Sequence, residues 1–231
     1  CVLTKGQETD TTPIRLCRSS RSSISLSSLT MNPTQNRSKD DLIQAFHRTH
    51  SFKWDPTIGF RLASGQVSPF YIDCRTLMAE PRARHEVAGL AWHHIHQLDI
   101  DCIGGLEIGA IAIATSISDY AYLAAPKREW RTFIVRKQPK DHGLGKLIEG
   151  VVKPGDRALI VDDVLTSGGS VLKAIAAARE AQLDVRSVLV IVDRMEQGGR
   201  ARVEEQQVQV VSLLTIDDLA PARPAGSLPK A

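Results

Sequence analysis

Ala158-Leu159-Ile160-Val161-Asp162-Asp163-Val164-Leu165-Thr166-Ser167-Gly168-Gly169-Ser170 reads as a buried strand that turns into a helix through a loop of small residues. The apolar run 158–161 is the strand. Two adjacent carboxylates, Asp162 and Asp163, stand at its carboxyl end, and Thr166 to Ser170 open the next helix. Ligands of open α/β sheets bind beyond the carboxyl ends of the strands. A helix N-terminus with free backbone N–H groups and hydroxyls is a phosphate site. Gly168 and Gly169 let the backbone approach that phosphate closely. Carboxylates repel phosphate, so the acids call for a different part of the ligand, and ribose hydroxyls suit them. The stretch points to a phosphorylated sugar, with its phosphate in the loop and its diol on the acids. The bland alternative is a strand, an Asp-rich turn and a helix cap, which needs neither the second acid nor the whole run Thr-Ser-Gly-Gly-Ser.

On both sides of this stretch, short apolar runs alternate with helical ones. Upstream, Ile100–Ile103 reads as a strand ending at Gly104-Gly105, Ile108–Ile117 as a helix, and Ala121–Ala124 and Thr132–Val135 as strands. Downstream come an alanine-rich helix, 171–181, and strands over 185–192 and 208–214. Strands alternating with helices imply βαβ units and a parallel sheet covered on both faces. Nearer the start, Ser38 followed by Lys39-Asp40-Asp41 looks like a capped helix start with acids in its first turn. Pro81 opens a second helix through Val87, Leu90, Ala91 and Ile95.

With 231 residues, the chain suits one α/β domain with tails, and 42% hydrophobic residues suffice for a core. Residues 1–38 are Ser- and Arg-rich, and Asp10 is their last acid; we read them as a disordered extension. The first methionine is Met31, so residues 1–30 are upstream translated sequence, an expression remnant or a transit-like peptide. The domain is expected over 39–220. Pro221, Pro224 and Pro229 mark 221–231 as a disordered tail. A net charge of +3 argues against a nucleic-acid binder. Four cysteines without metal or disulfide spacing suit a reducing, cytoplasmic setting. No apolar run approaches the ~20 residues that span a bilayer.

A second segment, Arg136-Lys137-Gln138-Pro139-Lys140-Asp141-His142-Gly143-Leu144-Gly145-Lys146, is densely basic and hinged by glycine. Such a loop suits a lid that closes over pyrophosphate and stabilises the charge building on a departing phosphate. His142 could donate a proton or a hydrogen bond there. Charge alone fits a solvated loop equally well. A third segment, Phe60 to Arg75, carries Phe70-Tyr71, an aromatic pair fit either for a flat base or for the core.

The 158–170 stretch resembles the phosphoribosyl pyrophosphate signature of type I phosphoribosyltransferases. The basic loop, with Ile-Glu-Gly a few residues later, resembles the catalytic loop of the orotate phosphoribosyltransferases. Leu-x-Ser-Gly-x-x-Ser-Pro-Phe-Tyr at 62–71 resembles their orotate-side loop. The resemblance covers about residues 40–220. It implies an α/β fold of the type I phosphoribosyltransferase kind, a central mostly parallel sheet flanked by helices, with a small N-terminal hood. It further implies that orotate and phosphoribosyl pyrophosphate give orotidine 5′-phosphate and pyrophosphate, a step of pyrimidine synthesis. In that family the residues matching Lys137, Lys140, His142, Asp162 and Asp163 do the catalytic work. Those matching Arg136, Phe70, Tyr71, Thr166, Ser167, Gly168, Gly169, Ser170 and Arg194 bind substrates, Arg194 holding the orotate carboxylate. Magnesium is implied, held mainly by substrate oxygens, as is a homodimer in which the basic loop reaches the partner subunit's site. Ala63 and Ile108 stand where many family members carry lysine. Those departures leave room for transfer to a purine; a different class of reading is a regulator on the same fold that senses phosphoribosyl pyrophosphate without catalysis.

Overall fold

The computed structural model describes residues 39–61, 67–138 and 147–220. The expected tails, 1–38 and 221–231, lie outside the described residues. The chain starts with α1 (Lys39–Arg48), then four short strands, β1 (Phe52–Trp54), β2 (Phe60–Arg61), β3 (Val67–Ser68) and β4 (Phe70–Ile72). Next come α2 (Cys74–Ala79), α3 (Pro81–Ile95), β5 (Cys102–Leu106), α4 (Gly109–Leu123), β6 (Arg131–Val135) and β7 (Ile148–Gly150). The remainder is β8 (Arg157–Leu165), α5 (Gly169–Glu180), β9 (Asp184–Asp193), α6 (Gly199–Glu204), β10 (Gln209–Thr215) and α7 (Ile216–Leu219).

Six strands form one sheet in the order β10-β9-β8-β5-β6-β7. All neighbours are parallel except β6 and β7, which pair antiparallel. Side chains alternate along each strand, and the alternation sorts the core into two layers. Leu159, Val161, Leu189 and Ile191 join α1, α3 and α4 on one face. Ile160, Val188 and Val190 join Val171, Ala174, Ile175 and Ala178 of α5 on the other. Both faces are covered, as a parallel sheet requires, and each fully buried Leu or Ile contributes about 1.5–3 kcal/mol.

Local chemistry fixes the helix starts. Pro81 sits at the first turn of α3, and the Glu80 side chain accepts from the N–H groups of Arg82 and Ala83. Glu86, buried on α3, is paired with Arg48 of α1 and with Arg82, both at 2.9 Å. The hood consists of two antiparallel ribbons, β1 with β4 and β2 with β3.

Two expectations need correction. Ala121–Ala124 is not a strand: residues 121–123 are the last turn of α4 and Ala124 is its C-cap, with Ala121 buried and Tyr122 and Leu123 exposed. A four-residue apolar run carries no period that separates helix from strand. The strand over 158–161 runs on to Leu165, so Asp162 and Asp163 lie within β8, still registered on β9.

Candidate active site

The sheet parts where its connections diverge. β5 pairs with β8 only as far as Gly104 opposite Ile160. From β5 the chain moves through α4 to β6 on one side. From β8 it moves through α5 to β9 on the other. That is a topological switch point, and it opens a crevice at the carboxyl ends of β5 and β8. Glycine allows the two strands to come this close before they separate: a Cβ on Gly105 would lie 2.1 Å from the Val161 carbonyl oxygen.

Asp162 and Asp163 stand on β8 at this point, past the end of its pairing with β5. Asp162 is buried and Asp163 half-buried. Asp162 Oδ1 accepts from the Asp163 N–H at 3.0 Å, and Asp163 Oδ1 from the Val164 N–H at 2.9 Å. Burial, and then the charge of Asp163, push the Asp162 carboxyl up to about 8. Hydrogen-bond donors from a ligand would reverse that, so the acid pair is poised to receive hydroxyls. Cys74 Sγ lies 4.0 Å from the Asp163 carbonyl oxygen, and burial drives its thiol well above the usual range, which keeps it neutral.

Two helices begin beside the acids. A Cβ at Gly109, the first residue of α4, would stand 3.1 Å from the Asp163 carboxyl carbon. Neither α4 nor α5 has a side-chain cap hydrogen bond, so both offer backbone N–H groups and a positive dipole end to an anion. Gly168, at the head of α5, has φ 77°, a left-handed conformation that side chains disfavour. A Cβ there would meet the Gly199 carbonyl oxygen and Val203 Cγ2, each at 3.1 Å. Thr166 and Ser167 are half-buried, whereas Gly169 and Ser170 are exposed. Arg202 Nη2 donates to the Ser167 carbonyl oxygen, clamping the loop to α6. Gly168→Val should therefore weaken binding of a sugar phosphate by at least tenfold, through a backbone shift in the cradle. Calorimetric titration of the folded variant with ribose 5-phosphate checks this; wild-type affinity would remove the phosphate from this loop.

The basic segment leaves β6 and returns along β7. Arg136 is held at its root: its N–H donates to the Leu147 carbonyl oxygen, and its guanidinium lies 3.7 Å from Glu149 Oε1. Lys137 is exposed, and its backbone N–H donates to Glu107 Oε1 at 2.8 Å. Lys140 and His142 lie outside the described residues, as does Ala63. The turn between β5 and α4 contains Glu107 and Ile108, and their peptide bond is cis. Ile108 is 69% exposed, so the turn lacks a side-chain cation at that position.

Arg194 lies 5% exposed at the end of β9. Its backbone N–H donates to the Leu165 carbonyl oxygen at 2.9 Å. Its Nε and Nη2 both reach Glu196 Oε2 at 3.0 Å, and Nη2 donates to Ser68 Oγ of the hood at 2.6 Å. The turn that presents it is tightly wound: Met195, Gln197 and Gly198 all have positive φ. Asp193 braces the turn by accepting from the Met195 N–H and from Arg200 Nε, both at 2.8 Å.

The two aromatics separate. Phe70 is buried, with its ring 4.9 Å from that of Trp54 and 6.2 Å from that of Phe52. It therefore packs in the core. Tyr71, on the opposite face of β4, is half-buried and lies 5.8 Å from the Phe60 ring. Sequence reasoning missed Glu107, Glu196, Arg202 and Phe60. Only Glu107 and Glu196 carried a signal, a lone acid inside each of two glycine-containing turns.

A model of the phosphoribosyl transferase domain matches residues 75–223. The orotate phosphoribosyltransferase of Aquifex aeolicus (strain VF5) is 35% identical over 160 residues, which cover 69% of this chain and 86% of that one. Among solved structures, the orotate phosphoribosyltransferase of Mycobacterium tuberculosis H37Rv in complex with Fe(III) dicitrate superposes with a TM-score of 0.68 at 31% identity, covering 79% of this chain and 99% of that chain. Its complex with 5-phospho-α-D-ribosyl 1-diphosphate gives a TM-score of 0.63 at 29% identity, over 78% and 98% of the two chains.

Proposed function

The chain belongs to the orotate phosphoribosyltransferases, with their type I fold, and we infer from that membership how its own residues carry the reaction. Orotate and phosphoribosyl pyrophosphate are converted to orotidine 5′-phosphate and pyrophosphate. The observation that carries the assignment of roles is the acid pair, Asp162 buried and Asp163 half-buried, set beside the uncapped, glycine-turned start of α5.

In this reading, Thr166 to Ser170 hold the 5′-phosphate on backbone N–H groups and hydroxyls. Asp162 and Asp163 accept from the ribose 2′- and 3′-hydroxyls. Arg194 receives the orotate carboxylate through its guanidinium, with Tyr71 alongside the base. Orotate N1 bonds to the anomeric carbon as the bond from that carbon to the pyrophosphate oxygen breaks. Positive charge on the ring faces the acids. Negative charge on the leaving group faces Arg136, Lys137, Lys140 and His142. No covalent enzyme intermediate is needed.

Magnesium fits the chemistry of this donor set. Among the described residues no cluster of three His, Cys, Asp or Glu could hold a metal; the ion would be carried mainly by substrate oxygens, and the acid pair would add hard oxygen donors beside it. When bound, the ion would neutralise charge on the pyrophosphate. We further propose a cytoplasmic homodimer in which the basic loop serves the partner subunit's site. None of the described helices is long and apolar enough to cross a membrane.

An assay of labelled phosphoribosyl pyrophosphate against orotate, uracil, adenine, hypoxanthine and guanine tests the base. Use of orotate alone is expected, and a purine product would move the chain to the purine branch. Lys140→Ala should lower turnover by at least about tenfold with a smaller change in donor affinity, as for loss of a transition-state charge partner. Unchanged turnover would return the segment to a solvated loop.

A further inference from the structure

Ser68 is buried at 5% exposure in the hood, 126 residues before Arg194 in the chain. Its Oγ lies 2.6 Å from Arg194 Nη2 and 3.2 Å from the Phe70 backbone nitrogen. A guanidinium and a peptide N–H can only donate. The serine oxygen therefore accepts both hydrogen bonds, which occupy its two lone pairs. Its own O–H is left to donate, and the two acceptor bonds fix where that proton points. Glu196 meanwhile fixes the guanidinium from its Nε side. A carboxylate has two oxygens, enough to receive a guanidinium and a hydroxyl together.

We propose that Ser68 is a specificity-determining residue: its hydroxyl donates to the carboxylate of the base that Arg194 receives. This rests on the role of Arg194 given above and adds a second donor, carried by the hood. A base without a carboxylate would leave that buried hydroxyl and the guanidinium unmatched, which is a strong form of rejection.

The test compares two products that differ only in the carboxylate. Calorimetric titration of orotidine 5′-phosphate and uridine 5′-phosphate is made into the wild type, Ser68→Ala and Ser68→Cys. Cysteine nearly preserves the volume but donates weakly, so it carries the test if alanine loosens the hood. Both variants should bind orotidine 5′-phosphate about tenfold or more weaker, as for a lost hydrogen bond to a charged group. Binding of uridine 5′-phosphate should change less than twofold, and KM for orotate should rise while affinity for phosphoribosyl pyrophosphate holds. Weakening of both nucleotides by the same factor, or of neither, would overturn the role of Ser68 while leaving Arg194 in place. A wild type that binds the two nucleotides equally would overturn the carboxylate role of Arg194 and this inference with it.

Discussion

Gly105→Ala is expected to open the site from inside the sheet. The new Cβ would lie 2.1 Å from the Val161 carbonyl oxygen and 2.8 Å from Ala110 Cβ. Neither neighbour is a flexible side-chain end: one is strand backbone, the other a methyl on the packed face of α4. β5 and β8 must separate one residue past their last pair, immediately before Asp162. Overpacking of this kind costs about 3 kcal/mol, which lowers Tm by roughly 6–12 °C in a domain of this size. Sugar-phosphate binding should fall with it, because the acids ride on β8. Thermal unfolding and titration with ribose 5-phosphate check both. Gly155→Ala is the control: it has φ 84° but nothing within 4 Å of the new Cβ, so only backbone strain of about 1 kcal/mol is expected, with binding intact. Equal behaviour of the two variants would deny the close approach any importance.

The second large effect separates activity from stability. The folded protein holds the Asp162 carboxyl up to about 8, far above the ordinary carboxylate range. Between the ordinary range and about 8 the folded state therefore carries a proton that the unfolded chain has lost. Stability falls as pH rises through that window, and the cost is complete above about 8. Asp162→Asn removes the buried charge. It should melt higher than the wild type at pH 8–9, with the advantage fading toward pH 4, and it should lose about 100-fold in turnover through the missing partner of the ring charge. In the wild type, a diol that favours the charged form should release a proton on binding, so calorimetric heats at neutral pH should vary with the ionisation enthalpy of the buffer. A variant that melts no higher at pH 8–9, or keeps full turnover, would remove Asp162 from this role.

What the sequence disclosed follows the distance between cooperating residues. The acids and the glycine-turned loop are contiguous, so a single stretch, 158–170, displays both. The six sheet strands were anticipated save β7, whose three residues are too short for periodicity and whose antiparallel return depends on β6. The hood strands, two or three residues each, were hidden for the same reason. Phe70 and Tyr71 are adjacent in the chain, and only the pairing of β1 with β4 decides which ring enters the core. The bond from Arg194 to Ser68 spans most of the domain and leaves no local pattern. Arg202 is one of two arginines on α6, and its grip on Ser167 is visible only after α6 has docked.

The packing of α6 has a metric consequence. A Cβ on Gly199 would lie 2.1 Å from the Thr166 carbonyl oxygen, Arg202 grips Ser167, and the Arg194 N–H is bonded to Leu165. The 166–170 loop, proposed to cradle the phosphate, and Arg194, proposed to hold the base carboxylate, are thus mounted on one stiff block, like the two jaws of a locked calliper. In the proposed binding mode the span between the 5′-phosphate and the base carboxylate is set by backbone, with little side-chain slack to absorb an error. With a donor lengthened by one methylene between phosphate and ribose, the phosphate stays in the loop while the anomeric carbon is displaced from N1 of an orotate held on Arg194. Since a misplacement of about 1 Å can cost about 100-fold in rate, such an analogue should dock its phosphate with near-normal affinity and then fail in kcat.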